Sequence, residues 1–66
     1  MNTPMPSPTQ AEIRQARKQA GLTQSQAAEL IHASAAGWRK WESGAREMHG
    51  AFWELFLIKS KREEAL

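Results

Sequence analysis

Apolar residues recur at helical spacing in four separate stretches of the chain, and turn-forming residues interrupt them. In the first, Ile13, Ala16, Arg17 and Ala20 share one narrow side, while Arg14 and Lys18 project elsewhere. Thr9 and Glu12 stand at capping-box spacing ahead of it, so a helix is predicted to begin there. Gly21 supplies a left-handed stop, and Leu22 is placed to fold back over the helix end. In the second stretch Ala27, Ala28 and Ile31 form the inward side of a short helix opened by Thr23 and Gln26, again at capping-box spacing. Its alanines allow close approach of a crossing helix. His32 and Ala33 form the turn, with His32 a candidate for positive φ, and Ser34 is a cap for a third helix running from about Ala35 to Ser43 and ending at Gly44.

On that third helix, at 100° per residue, Trp38, Trp41 and Glu42 fall on one side, and Ala36, Arg39, Lys40 and Ser43 on the other. The alternation of tryptophan and cation therefore separates an anchor from a recognition surface. After a polar stretch from Ala45 to His49, the run from Gly50 to Ser60 pairs Phe52 with Phe56, Ala51 with Leu55, and Trp53 with Leu57. A fourth helix follows whose apolar residues cover nearly every side apart from Glu54 and Lys59, more than a one-sided surface helix needs. Residues 61–66 extend that helix or fray. Pro4, Pro6 and Pro8 disfavour helix before Thr9, so residues 1–8 are expected to be a flexible arm, with the domain proper over 9–60. That arm has neither arginine nor lysine, the residues with which such arms enter a minor groove.

The fold expected is all-α. At 66 residues it is one small domain, marginally able to bury a core alone, and sharing apolar residues of the fourth helix with a second copy would help. Phe52, Trp53, Phe56 and Leu57 are the candidates for such an interface, the alternative being that Trp53, Phe56 and Leu57 complete the core of a single chain. The absence of cysteine removes disulfides, thiolate metal sites and cysteine nucleophiles. No apolar run resembles a signal peptide or suffices to cross a bilayer, so a cytoplasmic location and no membrane partner are expected. Nine Lys and Arg against seven Asp and Glu give a small positive excess, but residues 34–46 hold Arg39, Lys40 and Arg46 against Glu42 alone. His32 and His49 have no carboxylate or cysteine at ligand spacing, so no metal site is expected. Ser25, Ser34 and Ser43 lack a histidine–acid arrangement and read as caps or phosphate contacts. No catalytic residue or cofactor is assigned.

Taken in order, Gly21-Leu22-Thr23-Gln24, Ala28, His32-Ala33, Ser34 and Trp41-Glu42-Ser43-Gly44 resemble the helix-turn-helix domain of the Cro and CI phage repressors, the XRE family, over roughly residues 9 to 59. The resemblance implies a lambda repressor-like bundle of four or five helices, with the third helix in the major groove and the second crossing the sugar-phosphate backbone. It implies phosphate contacts for Gln24 and Ser43, and places Ala35, Ala36 and Lys40 where relatives read bases, with Gly37 and Arg39 beside them. Arg46, just beyond the third helix, is a candidate phosphate contact. Arg17 and Glu42 match a pair that in relatives forms a buried ion pair between the first and third helices.

The chain departs from the family pattern where His32 replaces the usual turn glycine. Ala35, Ala36 and Gly37 lack polar heads, so they offer bases only close approach and methyl contact. Specificity then leans on Arg39, Lys40 and Ser34, the alternative being that Arg39 and Lys40 merely bind phosphate. The expected function is a DNA-binding transcriptional regulator acting as a homodimer on an inverted-repeat operator. Autorepression is its simplest mechanism, since the chain has no room for a ligand-sensing domain, and no small-molecule ligand is expected. Small prophage repressors and regulators encoded beside anti-CRISPR genes are similar in size and organisation. Rival readings are the antitoxin of a toxin–antitoxin pair and a protein-interaction module using the fourth helix. An enzyme is the weakest option.

Overall fold

A computed structural model of the chain describes residues 6–65 and contains four helices: α1 (Gln10–Gln19), α2 (Gln24–Leu30), α3 (Ala35–Ser43) and α4 (Gly50–Ala65). No strand is present among the described residues. The molecule is all-α, and no helix among the described residues is long and apolar enough to cross a membrane. α4 continues past residue 60 to Ala65.

Each start is set by a side chain that accepts an otherwise unpaired backbone N–H. Thr9 accepts from Glu12 N at 3.1 Å while Glu12 Oε1 accepts from Thr9 N at 2.8 Å, and Thr23 with Gln26 repeats this reciprocal box at 3.1 and 2.9 Å. Ser34 Oγ accepts from Gly37 N at 3.0 Å. A β-carbon at residue 37 would lie 3.1 Å from that hydroxyl oxygen, so the glycine makes room for the cap. His49 Nδ1 accepts from Ala51 N at 3.0 Å at the start of α4, a capping role absent from the sequence reading.

The helix ends are equally determined. At the end of α1, Gly21 N donates to Lys18 O and Leu22 N to Arg17 O, with Gly21 at φ 74°. α2 ends on the same bonding pattern, His32 N to Glu29 O and Ala33 N to Ala28 O, and His32 takes the left-handed conformation at φ 62°. Histidine thus replaces glycine without loosening the turn, since both bonds form.

The core is Ile13, Ala27, Ala28, Ile31, Trp38, Trp41, Met48 and Phe56. α2 and α1 both pack on α3, and α4 packs on α2. Trp38 is fully buried, meeting Trp41 edge-on at 5.7 Å between ring centroids and Phe56 at 5.0 Å. Such aromatic pairs add roughly 0.5–1.5 kcal/mol each beyond the area they bury.

Two corrections concern the ends of the domain. Phe56, expected at a surface for a second copy, is fully buried against Trp38 and can meet no partner. Pro8, expected in the flexible arm, is buried beside the crevice lined by Ile13, Trp41 and Met48. The rest of that arm up to Met5 lies outside the described residues. Met48 was missed as a core residue because it is a lone apolar position in the polar stretch 45–49, where no periodicity marks it.

Candidate nucleic-acid interface

α3 divides cleanly. Trp38, Trp41 and Glu42 are buried, whereas Ala36, Arg39, Lys40 and Ser43 are exposed. A helix of nine residues is fixed in orientation by its inward tryptophans and by one acidic group beneath them.

That group is Glu42, 3% exposed. Arg17 grips it with two donors, Nε to Oε2 at 2.5 Å and Nη2 to Oε1 at 3.2 Å. Trp38 Nε1 donates to Oε2 at 2.5 Å and Gln24 Nε2 to Oε1 at 3.1 Å. Arg17 Nη1 also donates to Leu22 O at 3.0 Å, tying the α1–α2 turn into the same network. α1, α2 and α3 are therefore joined through one carboxylate. Burial disfavours its charged form, but the donors from Arg17, Trp38 and Gln24 and the charge of Arg17 outweigh this and hold its carboxyl below the usual 4.5. Every polar side-chain atom buried among the described residues has a partner.

Above this carboxylate lies an open notch of about 430 Å³, lined from α1 by Arg14, Arg17 and Lys18, from α2 by Gln24, and from α3 by Arg39, Glu42 and Ser43. Arg14 reaches the Glu42 carbonyl at 3.3 Å and lies 3.7 Å from its carboxylate, with its side chain 49% exposed.

The two helices that flank the histidine turn, with α1 clamped onto them through Glu42, form a tri-helical unit with the geometry of a helix-turn-helix. A family model described as a helix-turn-helix domain matches residues 11–57, from the first turn of α1 to Leu57 in α4. The chain belongs to the helix-turn-helix domain family. Over 45 residues it is 44% identical to the type II methyltransferase M.MspI of a Moraxella species, a match covering 68% of this chain and 11% of that protein. The chain thus spans a small fraction of that relative's length.

Within this helix-turn-helix domain the residues singled out from sequence do not form one patch. Gln24, Arg39 and Ser43 line the notch, together with Arg17 and Glu42. Ser34, Ala36 and Lys40 are exposed on α3 or its cap outside the notch, with Ala35 and Gly37 half-buried beside them. Arg46 lines a separate crevice with Glu47 and Gly44. One N–H of the Gln24 amide is committed to Glu42, and the Ser43 hydroxyl donates to Lys40 O at 3.1 Å, so neither side chain is idle. Ser34 Oγ accepts from Gly37 N and keeps its own hydrogen to donate.

Arg14 and Lys18 were not assigned to the site from sequence. The signal was present as a run of cations at residues 14, 17 and 18, which fall on one side of α1. No group of three or more metal-ligating side chains is found among the described residues.

Proposed function

We propose that the chain is a sequence-specific regulator that binds duplex DNA with α3 in the major groove, as a homodimer on an inverted repeat. The observation that carries the reading is the division of α3 between a buried anchoring side and an exposed flank of small and basic residues. Ala36 and Gly37 permit close approach, Lys40 and Ser34 supply donors for base edges, and Arg39 and Arg46 supply charge to the backbone. A two-fold dimer would set its α3 helices about 34 Å apart, one turn of DNA. Occlusion of its own promoter is the simplest regulatory outcome, in the cytoplasm, and the reading assigns no catalysis to the chain.

The dimer contact is assigned to Trp53 and Leu57, which are half-buried and line an open groove of about 520 Å³ between α1 and α4. Phe52, 42% exposed, leans on Trp41 at 5.6 Å and stays within the subunit for part of its surface. Glu12 and Lys61 both line that groove, so a second copy seated on it about a two-fold axis meets one charge of each sign.

Selection of bound fragments from random duplex DNA tests the reading directly. A palindromic consensus with half-sites about one helical turn apart is the expected result. Recovery of no consensus, with binding indifferent to salt, would overturn it, since a protein neutralising several phosphates loses affinity steeply as salt rises.

A further inference from the structure

We infer that the notch between α1 and α3 is a seat for a phosphodiester of the DNA backbone, held by Arg14, Lys18 and Arg39, and that Arg39 and Lys40 therefore do different work. The inference rests on the duplex-binding reading above. It adds a contact made by α1 and gives the backbone charge of Arg39 a defined seat beside it.

The charge in the notch is unbalanced in one direction. Arg14, Arg17, Lys18 and Arg39 line it, and Glu42 is its sole carboxylate. Both oxygens of Glu42 are already occupied from below by Arg17, Gln24 and Trp38, so the carboxylate is committed to the interior. Arg17 is committed with it, its three nitrogens bonded to Glu42 and Leu22. Arg14 donates one hydrogen bond to the Glu42 carbonyl and lies 3.7 Å from its carboxylate, yet its side chain is half exposed, so donors remain for a ligand. Lys18 and Arg39 form no ion pair among the described residues, and both are exposed. Three cations thus line an open concavity whose one carboxylate already has both oxygens hydrogen-bonded. An anion of low hydration cost, bearing several acceptor oxygens, is the chemistry that such a site takes.

Geometry on α3 identifies that anion as backbone rather than base. Arg39 and Lys40 are neighbours in sequence and so point about 100° apart around the helix. Arg39 and Ser43, four residues apart, form the row bordering the notch; Ala36 and Lys40 form the next row, outside it. If the row of Ala36 and Lys40 faces the floor of the groove, the row of Arg39 faces its wall, which is the phosphate chain. α1 then contributes Arg14 and Lys18 to the same strand.

The test uses the full chain, an operator duplex from the selection experiment and an unrelated duplex of equal length, with affinities measured across a salt series. Lys18→Gln and Arg39→Gln are each expected to weaken binding to both duplexes by the same factor. Each should also flatten the slope of log K against log salt by about 0.9. Lys18→Arg and Arg39→Lys should restore the slope. Lys40→Ala should instead lose operator affinity preferentially and relax the choice of base at one position in each half-site. An unchanged slope for Lys18→Gln, or loss at Arg39→Gln confined to the operator, overturns the phosphate seat while leaving duplex binding intact. Wild-type chain that binds neither duplex overturns the parent reading and this one together. Thermal melts of each variant, expected to match wild type because Lys18 and Arg39 are exposed, exclude unfolding as the cause.

Discussion

The two flanks of α1 open onto concavities of opposite character. Arg14, Arg17 and Lys18 face a notch whose floor is a buried carboxylate with every oxygen occupied, whereas Ala11, Gln15, Ala16 and Gln19 face an apolar groove completed by Trp53 and Leu57. The notch is finished within one subunit: its floor is covalently remote but hydrogen-bonded from three helices, so its charges are held in place before any ligand arrives. The groove leaves Trp53 and Leu57 half-buried in an open concavity, and the proposed dimer would cover them. A small helical chain can thus carry a preorganised polar surface on one flank and leave the other to association.

Removing the floor of the notch should produce the largest effect. Glu42→Ala leaves the Arg17 guanidinium, 15% exposed, and the Trp38 and Gln24 donors without their acceptor. Truncating one partner of a buried pair costs roughly 3–5 kcal/mol. In a chain of 66 residues that should bring the melting transition close to or below room temperature, read by far-ultraviolet circular dichroism. A melting temperature within a few degrees of wild type would mean that the carboxylate is not the keystone joining α1, α2 and α3. The groove offers the contrasting case. Trp53→Asp should leave the monomer folded, as Trp53 is half-buried, yet shift sedimentation toward a single copy and weaken operator binding through loss of the second half-site. Unchanged sedimentation would refute the proposed dimer contact at Trp53.

Acid should separate the two flanks in a graded way. The Glu42 carboxyl ionises more readily in the folded chain than in the unfolded one, because its donors outweigh the desolvation of burial. The unfolded state therefore binds more protons over the interval between the two values. The stability Glu42 contributes is complete above about the ordinary 4.5 and is lost as pH falls through that value toward the lower folded one. Melting temperature should accordingly be flat with respect to this group near neutrality and decline in that acid window, and Glu42→Gln should remove this part of the decline. The carboxylate that lines the groove, Glu12, is exposed rather than buried, so self-association tested at pH 5 to 7 should change less than stability does below that range.

How far these features were legible in the sequence depended on whether local chemistry determined them. Thr9, Thr23 and Ser34 signal helix starts because a cap acts within three residues, and the third helix and its division into buried and exposed sides follow from spacing alone. The site was less legible, since the notch unites residues 14 to 18 with residues 24 and 39 to 43, which no local pattern connects. Sequence assigned Gln24 a phosphate contact without showing that its amide also serves the buried carboxylate. Phe56 was misplaced for the same reason, since its burial depends on where Trp38 lies in space, and Met48, alone in a polar stretch, had no periodicity to mark it. The all-round apolar character of α4 announced that something covers it, but not that α2 and α3 cover the Phe56 side.

The smallest effect expected bears on the joint between the two helices that form the reading unit. His32 holds φ 62°, a conformation that costs a residue with a β-carbon about 1 kcal/mol relative to glycine, and its ring lies 3.5 Å from Lys59 Nζ on α4. His32→Gly relieves the backbone cost but enlarges the conformational freedom of the unfolded chain, so the two contributions largely cancel. The net change should be under about 1 kcal/mol, in the direction of stabilisation, and operator affinity should be unaltered because both turn hydrogen bonds are made by backbone atoms that glycine retains. Marked destabilisation would show that the contact between His32 and Lys59 matters more than the strain, and would make α4 a brace for the turn as well as a wall of the groove. Lys59→Ala distinguishes these accounts: it should be nearly neutral if strain dominates and should reproduce the loss if the brace does.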